Sequence, residues 1–150
     1  MAAARYPPPP CPESDLHLVL EADPLSVRQG LRVMRTRLAG GLSEPAVGSL
    51  EIVLAEILNN IVKHAYRDGG GRIDLCIGAV PGALLCRVSD QGRPMPGGSL
   101  PDPARLQPGL RLADLPEGGF GWRMVRDLAL DLQYRRHAGR NILRFRMALD

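Results

Sequence analysis

Residues 56–66 read Glu56-Ile57-Leu58-Asn59-Asn60-Ile61-Val62-Lys63-His64-Ala65-Tyr66, and the fold prediction starts from this segment. Together with the residues before it, the segment has the spacing of an amphipathic helix with one apolar side. That side consists of Leu50, Leu54, Ile57, Leu58, Ile61 and Ala65. Glu56 and Asn60 lie one turn apart on the other side, flanked by Lys63 and His64. We therefore predict a core helix that presents a carboxylate and a carboxamide together.

The Glu56 and Asn60 pair suits the binding of magnesium and of a phosphorylated ligand. Mg²⁺ takes oxygen ligands, retains several waters and uses substrate phosphates, so that one Asn carbonyl is a suitable protein ligand. A carboxylate one turn away can orient a water or accept a proton from a nucleophile. The alternative is a solvated polar face, because Glu and Asn are mostly exposed in proteins. For His64 the alternative is a hydrogen-bonded residue at the end of the helix.

Four segments are predicted around the start of the chain. Residues 1–14 contain a run of prolines and are expected to form a disordered tail. Alternating leucines over residues 16–20 predict an edge strand. Asp23, followed by a proline, is expected to cap a helix that ends near Gly40. Ser43 is expected to cap the next helix, the one that carries the Glu56 and Asn60 pair.

The remaining elements define the fold class. They are expected to be strands at 72–78 and 84–90, a helix at 121–130, and strands near 131–137 and 141–148. Pro81-Gly82 predicts a hairpin turn between the first two strands. The proline- and glycine-rich residues 91–118 predict a long loop that acts as a lid. We therefore predict one α+β domain over residues 15–150, a two-layer sandwich of an antiparallel or mixed sheet with three main helices on one face.

Two further motifs add to the core helix. Asp90 ends an apolar strand, and a carboxylate there can accept a hydrogen bond from an exocyclic amino group such as that of adenine. Gly92 allows a ligand to approach the backbone closely. The segment Glu117-Gly118-Gly119-Phe120-Gly121-Trp122 precedes a predicted helix, where bare N–H groups favour a phosphate chain. Each motif alone also fits a plain turn or a hinge.

In order and spacing, the three motifs resemble the N, G1 and G2 boxes of the GHKL ATPases. Residues 56–66 look like the N box, including its terminal His-Ala-Tyr, and Asp90-Gln91-Gly92 looks like the G1 box. Gly119-Phe120-Gly121 looks like the G2 box at the end of an ATP lid. The resemblance extends over residues 15–149 and implies the Bergerat ATP-binding fold. Within the superfamily, the chain most resembles the anti-sigma-factor serine kinases of the RsbW-like group.

The resemblance implies a role for each matching residue. Glu56 would be the general base for the serine hydroxyl of a partner, and Asn60 would be the ligand of Mg²⁺. Asp90 would bind the amino group of adenine, with Gly92 beside it. The other ATP-binding positions that the resemblance implies are Lys63, His64, Gly118, Gly119, Phe120 and Gly121. ATP and Mg²⁺ are thus the expected cofactors.

Two places depart from the pattern of these relatives. Pro94 occupies the place of the second glycine in the G1 box, which predicts a stiffer hinge at the start of the lid. The segment Gly139-Arg140-Asn141 lacks the threonines that some relatives use. A lost phosphate contact there predicts weaker ATP binding.

Composition narrows the range of partners. The 150 residues include 19 basic and 16 acidic side chains, a balance that does not favour a nucleic-acid partner. Cys11, Cys76 and Cys86 form no Cys-x-x-Cys pair, so we expect reduced thiols and no zinc site. No signal peptide and no apolar segment of bilayer length is expected. These features predict a cytoplasmic protein without a membrane partner.

The favoured hypothesis is an ATP-dependent serine kinase that phosphorylates an anti-anti-sigma protein of the STAS type and controls the sequestration of a sigma factor. The resemblance also implies a homodimer. One alternative is a catalytically inactive protein-binding module that is gated by nucleotide. Another is the ATP-binding domain of a histidine-kinase-like system. A scaffold without any ligand fits the three motifs least well.

Overall fold

The computed structural model describes residues 15–101 and 119–149, which form a sheet with helices on one face. The strands are β1 (Leu16–Glu21), β2 (Arg72–Val80), β3 (Ala83–Asp90), β4 (Leu130–His137) and β5 (Arg140–Ala148). The helices are α1 (Pro24–Leu38), α2 (Glu44–Asn60) and α3 (Gly119–Leu128), with a π-helical turn at Ile61–Ala65 directly after α2 and a short 3₁₀ turn at Pro96–Gly98. The predicted tail at residues 1–14 and lid residues 102–118 lie outside the described part of the chain.

The sheet has five strands in the order β1-β2-β3-β5-β4, and every neighbouring pair is antiparallel. The predicted α+β fold is confirmed. Of the two predicted kinds of sheet, antiparallel or mixed, the structure has the antiparallel one. The turn at Pro81-Gly82 joins β2 to β3, with Gly82 at φ 73°. Because β5 pairs with β3, Asn141 stands opposite Asp90 although 51 residues separate them in the chain.

Both predicted helix caps are present. The Asp23 carboxylate accepts a hydrogen bond of 2.7 Å from the backbone N–H of Ser26, and this bond lowers the pKa of Asp23. The Ser43 hydroxyl accepts a bond of 3.3 Å from the N–H of Ala46. These bonds satisfy backbone donors that have no partner within the helix. The local pattern therefore starts both helices at the expected residues.

The predicted apolar side of α2 forms the centre of the core. Its buried residues pack against the inner face of the sheet, and each contributes roughly 1.5–3 kcal/mol of hydrophobic stabilisation. They are Val47, Leu50, Val53, Leu54, Ile57 and Leu58, followed by Ile61 in the π turn. Packing of this one helix against the sheet fixes where its polar side points.

The sequence-based prediction that no segment reaches bilayer length needs correction. Helix Glu44–Ala65 is long and apolar enough to cross a membrane by length and composition, and it alone meets these criteria within 15–101 and 119–149. In this fold its apolar side is occupied by core contacts.

The expectation of three reduced cysteines is wrong for Cys76. Cys76 is disulfide-bonded, whereas Cys86 is a free thiol. Cys86 lies on the central strand β3, and burial raises its pKa to about 12.

Candidate functional site

The end of the α2 segment is a π turn, in which the N–H of Tyr66 bonds the carbonyl of Ile61 at 3.0 Å. Such wide turns interrupt regular α-helix and are frequent at functional sites. The Tyr66 hydroxyl then donates a bond of 2.8 Å to the carbonyl of Arg72 and accepts one of 2.7 Å from the N–H of Gln91. Burial raises the pKa of Tyr66. The terminal tyrosine of the N-box-like segment thus joins the helix end to β2 and to the exit of β3.

The loop after β3 lies directly against this helix end. The N–H of Arg93 donates a bond of 2.8 Å to the carbonyl of Ala65. A Cβ atom at Gly92 would overlap that same carbonyl group, so the backbones meet with no room for a side chain. The glycine of the G1-like motif is therefore required by close packing of two backbone segments.

A pocket that is open to solvent lies between α2, β3, α3 and the β4–β5 hairpin. Its walls are largely apolar and include Ile57, Ile61, Val88, Trp122 and Leu143. Its polar lining includes Asn60, His64, Asp90, Arg93, Tyr134 and Asn141. The structure therefore brings three of the predicted site residues, Asn60, His64 and Asp90, into one concave site. A concave site with apolar walls and a few convergent polar groups is typical of small-molecule binding.

Asp90 is the buried carboxylate of this pocket, with only 3% of its surface exposed. Its Oδ1 atom accepts bonds of 2.8 Å from the N–H of Gly92 and from Nδ2 of Asn141. Burial raises the pKa of Asp90, whereas these two hydrogen bonds and the charge of Arg136 oppose the rise. A carboxylate held in this way can accept a hydrogen bond from an amino group inside an apolar cleft.

Three residues of the β4–β5 hairpin join this site and were not expected from the sequence. Oδ1 of Asn141 accepts bonds from the Tyr134 hydroxyl at 2.6 Å and from Arg136 Nη1 at 2.8 Å. The expectation that segment 139–141 merely lacks a phosphate contact is therefore incomplete, because Asn141 bonds Asp90. The available signal was an Asn at the start of a strand, on the same face as Leu143 and two residues before it.

Other predicted site residues lie elsewhere. Glu56 is half-buried and does not line the pocket, and its carboxylate lies against Gly121 in the first turn of α3. The proximity is so close that a Cβ atom at Gly121 would overlap the carboxylate. Lys63 is exposed and also does not line the pocket. Gly119 and Phe120 form the start of α3, whereas Gly118 lies outside the described residues.

The residues present fit a purine nucleotide better than an all-protein metal site. Apolar walls with one buried carboxylate suit an aromatic base that carries an amino group. Within residues 15–101 and 119–149, no group of three or more His, Cys, Asp or Glu side chains could hold a metal ion. A magnesium ion near Asn60 would therefore depend on phosphate oxygens and waters for most of its ligands.

Residues 20–147 match the family described as the histidine kinase-like ATPase domain. The chain belongs to this family. The match covers most of the chain and confirms the resemblance of this domain to the GHKL-type ATPases. Membership in the histidine kinase-like ATPase family implies the use of ATP.

Relatives agree with this assignment. The chain is 26% identical over 119 residues to the serine-protein kinase RsbW of Bacillus cereus (strain B4264), over 74% of this chain and 73% of the relative. The same values hold for the serine-protein kinase RsbW of Bacillus anthracis. The family and these relatives support an ATP-binding, kinase-like module.

A solved structure shares the fold. The blue-light activated histidine kinase of Erythrobacter litoralis EL346 matches with a TM-score of 0.50 and 22% identity, over 72% of this chain. The match covers 32% of that kinase, so the chain spans about a third of its length. This likeness shows the histidine kinase-like ATPase fold alone.

Proposed function

We propose that this domain is an ATP- and Mg²⁺-dependent protein serine kinase that phosphorylates an anti-anti-sigma protein of the STAS type. The observation that carries the proposal is the buried Asp90 carboxylate, which lies in one apolar pocket with Asn60 of the core helix. The similarity to serine-protein kinases RsbW supports a protein serine as the acceptor. Control of a sigma factor, a homodimeric state and a cytoplasmic location belong to the same proposal.

In this proposal each residue has a distinct task. Asp90 accepts a hydrogen bond from the amino group of adenine, and the backbone at Gly92 lies close to the base. Asn60 provides one oxygen ligand for Mg²⁺, which neutralises phosphate charge when bound. His64 is placed at the pocket wall, where it can flank the phosphates. Lys63, Gly118, Gly119, Phe120 and Gly121 remain proposed phosphate-side positions.

The proposed transfer forms one bond and breaks another. The serine Oγ of the partner bonds the γ-phosphorus of ATP, the bond from that phosphorus to the β,γ-bridging oxygen breaks, and ADP leaves. Glu56 accepts the hydroxyl proton of the serine. Positioning and charge stabilisation carry most of the acceleration in such transfers, with the base adding a smaller factor.

The test is transfer of labelled phosphate from γ-³²P-ATP to a purified STAS-domain protein of the same organism. We expect Glu56→Gln to retain ATP binding and to lower the transfer rate by about 10²–10⁴-fold, the usual contribution of general base catalysis. We expect Asn60→Ala to lose Mg²⁺-dependent ATP binding in calorimetric titration. ATP that fails to bind the wild-type domain would refute the proposal.

Glu51→Gln is the matched control, because it makes the same change on the same helix. Glu51 pairs with Arg35 of α1 at 3.3 Å and does not line the pocket. An ion pair at this partly exposed position contributes little to stability, so transfer by the Glu51→Gln variant should match the wild type.

A second candidate function is a nucleotide-gated binding module without kinase activity. It is favoured by the position of Glu56, whose carboxylate lies against Gly121 instead of lining the pocket. Tight ATP binding with no transfer to STAS-domain substrates, and with equal behaviour of the wild type and the Glu56→Gln variant, would favour this module.

A further inference from the structure

The side-chain amide of Asn141 is saturated with hydrogen bonds. Its Nδ2 donates to Asp90 Oδ1 and to the carbonyl of Arg93, both at 2.8 Å. Its Oδ1 accepts from the Tyr134 hydroxyl and from Arg136. An Asn side chain has two N–H donors and two strong acceptor positions, so all four are used. Asn141 therefore has no group left for a ligand, and its function in the pocket is to hold other groups.

The orientation of this amide follows from its partners. Arg136 can only donate, so the atom facing it must be the amide oxygen. The backbone carbonyl of Arg93 can only accept, so the atom facing it must be the amide nitrogen. The same assignment directs an N–H of Asn141 at Asp90. The carboxylate is thus held by a donor whose identity does not depend on an arbitrary amide flip.

The bonds form a chain in one direction. The N–H of Met95 donates to the Tyr134 hydroxyl at 3.0 Å, and that hydroxyl donates to Asn141 Oδ1 at 2.6 Å. Asn141 in turn donates to Asp90 Oδ1. Each group thus donates to the next one, and the series of hydrogen bonds ends on the Asp90 carboxylate. Consecutive donors that point toward a negative charge polarise one another, so the state of Asp90 affects the bond at Met95.

This series of hydrogen bonds connects the pocket to the segment that follows β3. Met95 and Arg93 both lie in that segment and both bond this network through their backbones. Arg136 adds a third tie, with a bond of 2.9 Å to the carbonyl of Gly92. The first residues of the predicted lid are thus bonded to the same side chains that hold Asp90.

We propose that Tyr134 and Asn141 are positioning residues that set base selectivity. They hold Asp90 Oδ1, so that the other carboxylate oxygen accepts a hydrogen bond from the exocyclic amino group of the base. They also couple the binding of a base at Asp90 to residues 92–95. The proposal deepens the proposed nucleotide site and rests on it. Both residues act through Asp90 and not through a contact of their own with the base. The ligand class is a purine nucleotide with an amino group at position 6.

The test compares two nucleotides that differ by that amino group alone. The dissociation constants of ATP and of purine riboside triphosphate are measured for the wild type and for Tyr134→Phe, which keeps the ring and deletes the hydroxyl. We expect the wild type to bind ATP about tenfold or more tightly than the analogue, as a hydrogen bond to a charged group provides. We expect the ratio to fall by about threefold to tenfold in Tyr134→Phe, and the Met95 amide to exchange hydrogen faster.

Tyr66→Phe is the matched control. It also deletes a hydroxyl that bridges two groups, but those groups are the backbone at Arg72 and Gln91 and not Asn141. We expect Tyr66→Phe to alter stability and to change the ratio of the two dissociation constants less than Tyr134→Phe does.

The outcomes separate this inference from the proposed function. A wild-type protein that discriminates, with an unchanged ratio in Tyr134→Phe, overturns the positioning role and leaves the nucleotide site standing. An equal fall in the ratio for both Tyr→Phe variants also overturns it, because the effect would then be a general loosening. A wild-type protein that binds neither nucleotide overturns the proposed function and this inference together.

Discussion

At the scale of single residues, Asp90 is a buried carboxylate that accepts hydrogen bonds from Gly92 and Asn141. Burial opposes its negative charge, whereas Asn141 and the N–H of Gly92 favour that charge, and the balance leaves its pKa raised. The charge that acts on it is that of Arg136 on β4, and Arg93 and His64 also line the pocket. The negative charge of Asp90 in turn contributes to the raised pKa of Tyr66. A carboxylate poised in this way is suited to binding an amino group.

The raised pKa of Asp90 predicts that base discrimination depends on pH. An ionised carboxylate is the stronger acceptor, so the ratio between the affinities of ATP and of purine riboside triphosphate should shrink as pH falls through the raised pKa. The decline should begin at higher pH than it would for an exposed aspartate, whose ordinary value is 3.8. Calorimetric titration of both nucleotides at a series of pH values measures the ratio, and their identical triphosphates cancel the titration of the phosphates. A ratio that does not vary with pH would contradict the prediction.

Asp90→Asn is the control for this pH dependence. The amide oxygen of Asn can still accept from Gly92 and Asn141, so the variant should fold, but its ratio should not change with pH. Because the native pKa lies above the unfolded value, ionised Asp90 destabilises the fold as pH rises through the interval between the two values. Above that interval the destabilisation by ionised Asp90 has its full size. At pH 7, the unfolding temperature of Asp90→Asn should therefore be no lower than that of the wild type.

At the scale of elements, the site depends on where α2, its π turn and α3 meet. The π turn ends in Tyr66, which holds both β2 and the exit of β3. The start of α3 lies against the Glu56 carboxylate of α2. A helix N-terminus favours a negative group, so this contact is electrostatically favourable. The relative placement of α2 and α3 therefore controls the proposed base.

Gly121→Ala should separate stability from phosphoryl transfer. The added methyl group would overlap the Glu56 carboxylate. Because this carboxylate is the end of a flexible side chain, it can move away with little loss of stability. The free energy of unfolding should change by no more than about 0.5–1 kcal/mol. Transfer to the STAS-domain protein should fall by about tenfold to hundredfold, because the base is displaced. Urea unfolding and the labelled-phosphate assay measure the two effects.

Gly48→Ala provides the matched control in α2. A Cβ atom there meets nothing within 4 Å, so the substitution should stabilise the helix by about 0.5–1 kcal/mol and leave transfer unchanged. If Gly121→Ala transferred phosphate at the wild-type rate, the contact between Gly121 and Glu56 would have no role in catalysis.

At the scale of the whole molecule, β3 is the central strand of the sheet and ends at the site. Its inner face packs under α2 through Leu84, Cys86 and Val88, and Asp90 continues that face into the pocket. Loss of core packing would therefore disturb the position of the buried carboxylate. The site and the core share one element.

The free thiol of Cys86 should report global unfolding. It is fully buried on β3, and burial raises its pKa to about 12, so almost no reactive thiolate forms at pH 8. We expect iodoacetamide to label Cys86 only in parallel with the loss of helical circular dichroism as urea rises. Mass spectrometric mapping assigns the label. Labelling at urea concentrations well below that transition would show local opening of the sheet and contradict the prediction.

Helix starts and strand faces were accessible from the sequence. Asp23 and Ser43 cap the helices at the predicted positions, since a cap acts within a few residues of chain. The α3 helix includes Gly119 and Phe120, which lie before the predicted start at Gly121, because glycines carry no side chain that marks a helix start. The π turn at Ile61–Ala65 was not predicted, since its apolar spacing is compatible with a regular helix.

By itself the sequence determined the α+β class and the core helix, because periodicity and caps act over short stretches of chain. The expectation that Asp90 and Asn60 share one site came from the resemblance of the three motifs to the GHKL ATPases. Only the tertiary structure decided which residues meet across the sheet. The pairing of β3 with β5 places Asn141, and through it Tyr134 and Arg136, against Asp90. Packing of α3 on α2 places Glu56 beside Gly121. Such contacts depend on strand register and on helix docking between distant segments, which no local pattern encodes.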